Sequence, residues 1–132
     1  MNQREIKFRA WDKKKKRWVN FTAIEFKRGK VSLRDGFGNY LDGDFEIVEY
    51  TGLKDKNGKE IYGGDIVKIG YVFGENEEIN GVIYWFDIMV NWCVKFHNES
   101  WNQISLGYYN RKNDAYEIKV IGNIYENPEL LK

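Results

Sequence analysis

Apolar and polar side chains alternate with a period of two along most of this chain, and no stretch of ten or more residues carries an apolar stripe at i, i+3, i+4, i+7. That pattern belongs to strands half-buried in a sheet, and it predicts an all-β protein. Ile6, Phe8 and Ala10 fall on one face against Glu5, Lys7 and Arg9, and Val19, Phe21 and Ala23 oppose Asn20 and Thr22. Val31 and Leu33 alternate with Ser32 and Arg34. Further on, Val67, Ile69, Tyr71 and Phe73 share a face, as do Val90, Trp92, Val94 and Phe96 against Asn91, Cys93 and Lys95. Ile118 and Val120 alternate with Glu117 and Lys119. β-branched and aromatic residues fill these runs, as a pleated, half-buried surface requires.

Turn-forming residues punctuate the runs. They are Lys27-Arg28-Gly29, Asp35 to Asn39, Asp42-Gly43-Asp44, Asp55-Lys56-Asn57-Gly58 and Gly74-Glu75-Asn76. Short strands at this spacing indicate a barrel or sandwich. Asn57-Gly58 predicts a tight hairpin, because both residues tolerate positive φ. Gly63-Gly64 inside an extended run predicts a bulge or sharp bend. Asn127 before Pro128, the one proline, reads as an N-cap with proline at the first helical position, and so as a short C-terminal helical turn.

With 132 residues the chain has the length of one domain. A single cysteine excludes an internal disulfide and suits a reducing compartment. The longest apolar stretch, Val82 to Val94, is interrupted by Asp87 and Asn91, so no membrane span is expected, nor a secretory signal or lipidation motif. The net charge is +1, but it is unevenly spread. Residues 1 to 30 hold eleven Lys and Arg against three acids, a net +8, which leaves −7 on the other 102. Such asymmetry fits a basic surface for an acidic partner, or an end that docks on an acidic body, its own or that of a neighbouring copy.

Candidate chemistry is sparse. Cys93 and His97 are the sole thiol and imidazole. In an extended strand their Cα atoms would lie roughly 13 Å apart, too far for a nucleophile and base pair. Intrachain tetrahedral zinc fails on ligand count. Carboxylates are plentiful (Asp42, Asp44, Asp55, Asp65, Glu75, Glu77, Glu78 and Asp87), so a carboxylate-based hydrolase is one alternative, although most of these acids sit where Asp caps its own turn. Neither Asp-rich segment has the calcium-loop spacing, and Gly36 and Gly38 open no phosphate loop. The best candidate site is Lys13, Lys14, Lys15, Lys16 and Arg17 between Trp11 and Trp18: five cations at a hairpin tip can neutralise phosphates, and flanking indoles offer stacking faces for bases. A solvated turn with core-capping tryptophans is the structural alternative.

Three blocks in order resemble the YopX-like proteins of bacteriophages and prophages, mostly of low-GC Gram-positive bacteria. They are Lys7-Phe8-Arg9-Ala10-Trp11-Asp12, the segment from Tyr50 to Tyr62 continuing through Gly64-Asp65-Ile66-Val67, and the segment from Val120 to Leu131. Gly63 stands where the family usually has glutamate. The resemblance implies a small all-β phage protein of unassigned activity, with an SH3-like small barrel in its second half. Together these readings predict an N-terminal antiparallel β lobe (1–50) packed on an SH3-like lobe (51–132). They predict a cytoplasmic, non-catalytic binding or assembly module without cofactor or metal, acting through protein contacts. Its expected partners are further copies of itself and a host or phage protein. Nucleic acid at the basic hairpin is the alternative, ranked behind protein.

Overall fold

Nine of the sixteen buried apolar residues among those described lie on four adjacent strands in the second half of the chain, the segments rich in β-branched residues. The computed structural model describes residues 3–71, 78–96, 103–109 and 116–131. Its strands are β1 (Phe8–Asp12), β2 (Arg17–Val19), β3 (Ala23–Lys27), β4 (Lys30–Arg34), β5 (Phe45–Lys54), β6 (Glu60–Tyr62), β7 (Asp65–Tyr71), β8 (Ile79–Phe86), β9 (Asn91–Phe96), β10 (Gln103–Ser105) and β11 (Tyr116–Asn123). A four-residue helix, Leu106–Tyr109, and a 3-10 turn, Pro128–Leu131, complete the described elements. The protein is all-β, with antiparallel pairing throughout the registers described. The chain divides into two compact units, one of Met1–Lys7 with Glu49–Lys132 and one of Phe8–Val48.

In the larger unit five strands run in the order β10-β9-β8-β7-β11. Ile69 pairs with Ile118, Val67 with Val120 and Ile83 with Val94, so β-branched side chains meet across the ladder. These six, with Ile61, Phe96 and Leu106, form the core cluster. Each fully buried aliphatic side chain contributes about 1.5–3 kcal/mol. Ile66 and Val67 are both buried, so β7 is covered on both faces at its start rather than showing alternation there.

The loop from Asp55 to Lys59 locks this sheet. Asp55 is buried, and its Oδ1 accepts hydrogen bonds from the amides of Asn57 and Lys59, both at 2.9 Å. Its Oδ2 accepts from the Val120 amide at 2.9 Å, while the Lys56 amide donates to the Ile118 carbonyl at 3.0 Å. The expected turn is present, but positive φ falls on Gly58 (81°) and not on Asn57. The turn is the longer Asx-stabilised kind because the Asp55 carboxylate organises it. Residues preceding Phe8 are tied into the same unit: Arg4 bonds Glu49 at 2.8 Å, Lys7 bonds Glu60 at 2.6 Å, and the Tyr50 amide donates to the Lys7 carbonyl.

In the smaller unit β1 lies between β2 and the beginning of β5, and β3 pairs with β4. Ala10, Trp11, Leu33 and Val48 are buried there. The β3-β4 hairpin turns on Arg28 (φ 52°) and Gly29 (φ 74°), two positive-φ residues joining Lys27 to Lys30. That geometry matches the twist of its strands.

Alternation misleads at strand ends. Ile6 lies before β1 and is exposed, and Val19, Phe21 and Ala23 are divided between β2, a connection and β3. Val90 belongs to the β8-β9 turn rather than to β9. Phe73 lies outside the described residues. The C-terminal turn forms as expected, but Asn127 does not cap it with its side chain. Its Oδ1 instead accepts from the Asn123 amide at 3.3 Å, and Asn123 Oδ1 accepts from the amides of Tyr125 and Glu126.

The Asp55→Ala variant leaves three amides without their acceptor, and one of them, at Val120, is buried. It should lower the stability of the chain by about 2–3 kcal/mol in urea unfolding. A loss under about 0.5 kcal/mol would show that the carboxylate does not lock the sheet.

Candidate functional site

The basic hairpin forms as the turn residues require. Lys13 to Lys16 connect β1 to β2, with Trp11 paired to Trp18 and Asp12 to Arg17. Asp12 organises the turn: its Oδ1 accepts from the amides of Lys14 (3.0 Å) and Lys15 (2.9 Å), and its carbonyl accepts from Lys16 at 2.8 Å. Lys16 occupies the positive-φ position at 52°. The hydrogen bond from the Lys15 amide is the main force holding the Asp12 carboxyl below its ordinary value of 3.8. Burial opposes it, and the Lys14 amide adds to it.

All five cations are exposed, and Lys13 reaches Asp44 and Glu46, each at 3.8 Å. The indoles are arranged differently from the expectation. Trp11 is buried and meets Trp18 edge to face with centroids 5.0 Å apart. The Arg9 guanidinium lies 3.8 Å above the Trp18 ring. Trp11 is thus withdrawn from solvent, and Trp18, half-buried, has Arg9 over its ring, so the pair is not a free stacking platform beside the lysines. What the hairpin offers is fixed positive charge.

The acids are placed mainly for structure. Asp55 is engaged as described, and Asp65, also buried, accepts from the Tyr62 amide at 2.8 Å. Glu78 pairs with Lys68 at 3.4 Å, and Asp42, Asp44 and Asp87 are exposed. Glu75 and Glu77 lie outside the described residues. Among the described residues no group of three or more His, Cys, Asp or Glu side chains is placed to hold a metal ion. Cys93 is buried, its Sγ lies 3.2 Å from Asn91 Oδ1, and burial pushes its thiol pKa up. Such a thiol is a poor nucleophile. His97 lies outside the described residues.

Two surfaces that the sequence reading did not single out carry exposed apolar groups. The first is the β8-β9 tip, where Ile88, Met89 and Val90 are 82%, 66% and 69% exposed. Val90 has φ of 51°, a conformation that costs a β-branched residue of order 1–3 kcal/mol. Three consecutive apolar residues between Asp87 and Asn91 are the sequence signal for it. The second surface is a groove in the smaller unit of about 320 Å³, lined by Val31, Leu33, Tyr40, Leu41, Asp42 and Phe45 among others. Tyr40 is held at its rim. Its hydroxyl donates to Glu25 at 3.1 Å and accepts from Arg34, whose guanidinium lies 4.0 Å over its ring.

The pattern of the YopX protein family matches residues 7–132. Among solved structures, the chain is similar to the crystal structure of protein EF1440 from Enterococcus faecalis, with 27% sequence identity and a TM-score of 0.60. That likeness covers 98% of this chain and 100% of the other. No curated protein matches the chain. Among the described residues no helix is long and apolar enough to cross a membrane.

Because the folded pKa of Asp12 lies below its unfolded value, its hydrogen bonds add stability above pH 3.8. That contribution is lost as pH falls through the lower folded value. Lys14 and Lys15 amide shifts followed by NMR should therefore titrate with a shared midpoint below 3.8. A midpoint at or above that value would show that Asp12 does not hold the turn.

Proposed function

The chain belongs to the YopX protein family, and from that membership we propose that it is a phage- or prophage-encoded, non-catalytic binding module working by protein-protein contact in the bacterial cytoplasm. The observation that carries this reading is the exposed tip of Ile88, Met89 and Val90. A folded domain gains nothing from holding three apolar side chains in water, and a contiguous exposed apolar patch marks a contact surface. The strain at Val90 points the same way, since glycine or asparagine would turn there at lower cost. A non-catalytic role is supported by the acids, whose buried members Asp12, Asp55 and Asp65 are occupied with backbone amides. The buried thiol of Cys93 fits the same reading and a reducing compartment.

Affinity capture from phage-infected host lysate tests this reading when wild type is compared with the double variant Ile88→Asp, Met89→Asp. The retained partner should be lost at least tenfold, while the circular dichroism spectrum stays unchanged. Equal recovery by both proteins would remove the tip from the function.

A second reading, nucleic-acid binding, is favoured by one observation: Lys13 to Arg17 are exposed on a turn that Asp12 holds rigid. With Trp11 buried and Arg9 over the Trp18 ring, such binding would rest mainly on phosphate contact. Four lysines on duplex DNA would give a log-log salt slope of roughly −4, abolished by changing Lys13 to Lys16 to Gln. A slope near zero, or binding unchanged in the variant, would exclude the hairpin as a phosphate site.

A further inference from the structure

The apolar tip and the groove, whose lining mixes apolar side chains with Ser32, Asp42 and Gly43, lie on the same chain, and they match in size and in surrounding charge. The tip is convex and carries eleven non-hydrogen side-chain atoms on Ile88, Met89 and Val90. The groove, at about 320 Å³, has room for roughly ten water-sized groups of ~30 Å³ each. Its walls are the side chains of Val31, Leu33, Leu41 and Phe45, and Tyr40 is held in place at the rim. Val31 and Tyr40 are 42% and 56% exposed, so the mouth of the groove is open to solvent.

The charges agree with the apolar match. The smaller unit carries ten basic against six acidic side chains, but five of the ten are Lys13 to Arg17, so the charge at the groove is set by nearer residues. Lys27, Arg28 and Lys30 are exposed at the end of the β3-β4 hairpin that leads into Val31. They outnumber Asp42, the acid in the groove lining. At the foot of the tip stands the exposed Asp87.

We propose that the occupant of this groove is the β8-β9 tip of a second copy of the chain, so that copies associate head to tail with Asp87 facing the cations beside Val31. This rests on the protein-contact reading above and names the partner. A contact of this kind joins two different surfaces, and every added copy exposes one new tip and one new groove. The product is a ring where the rotation closes and a filament where it does not.

Multi-angle light scattering on the full chain tests the proposal. Wild type should show a mass that rises with concentration above the 15.7 kDa of one chain. The tip variant (Ile88→Asp, Met89→Asp) and the groove variant Val31→Glu should each remain monomeric. All the substituted side chains are exposed, and circular dichroism checks their folding. Lys30→Glu serves as the groove variant should Val31→Glu fail to fold. Mixed in equal amounts, the two variants should form a species of two chains and stop there, because the pair retains one sound tip and one sound groove. A contact of tip with tip could not be rescued in this way. The proposal is overturned by a wild type monomeric at about 100 μM, a hundredfold above a micromolar Kd. It is equally overturned by a mixture that stays monomeric, or by a variant that assembles alone like wild type. A monomeric wild type whose tip variant still loses its captured partner would sink self-association and leave the protein-contact reading standing.

Discussion

The larger unit depends on one buried carboxylate acting across 65 positions of sequence. Asp55 closes its own turn with one oxygen and holds the Val120 amide with the other. β11 is the last strand of its sheet, and an edge strand leaves amides and carbonyls without a neighbouring strand. The turn meets that need from outside: Lys56 donates to the Ile118 carbonyl just as Asp55 receives from Val120. A short loop thus takes the place of a further strand at the Val120 amide and the Ile118 carbonyl, and β11 is fixed in register against β7. Apolar pairing alone would leave that edge able to slip, since β-branched side chains at every second position tolerate shifts of two residues.

Much of this organisation was legible in the residues. Asp, Asn and Gly announced the turns, and in three of them an acid accepts amides of its own turn, at Asp12, Asp35 and Asp55. The β-branched runs located β7, β9 and β11. What alternation did not reveal was where a strand stops. Ile6 and Val90 continue the period-two pattern, yet they lie beyond the last ladder pairs of their strands. Periodicity records which face a residue would take if extended. Whether it is extended depends on a neighbouring strand that comes from distant sequence. The long-range role of Asp55 was hidden for the same reason, because its turn is local and its bond to Val120 is not.

The basic hairpin shows how one composition supports two physical outcomes. Tryptophans flanking lysines look like a stacking platform when only order along the chain is known. In the fold, Trp11 and Trp18 are paired across the ladder, so their rings meet each other before they can meet a base. Arg9, two residues from Trp11 on the same strand, then covers the Trp18 ring by a cation-π contact. Cross-strand register decided the use of these aromatics, and register is set by the Asp12 turn. The same carboxylate that holds the lysines in place thereby aligns the indoles against each other.

The β8-β9 tip presents the opposite case, in which local physics argues against what is found. A turn is ordinarily polar, and a positive-φ position ordinarily goes to glycine or asparagine. Here Ile88, Met89 and Val90 fill the turn, and the residue with φ of 51° is β-branched. Neither choice helps this unit fold, because the exposed side chains bury nothing within it and the backbone pays a conformational penalty. Residues that break a local rule without a compensating gain inside the fold concentrate where a surface is used. Lys16 and Arg28 also take positive φ in their hairpin turns, but both are exposed cations without a β-branch, and Gly58 fills that position in the Asx-organised turn. Among the described hairpin turns, three consecutive exposed apolar residues with a β-branched one at positive φ occur at this tip, and that combination is what the proposed contact role rests on.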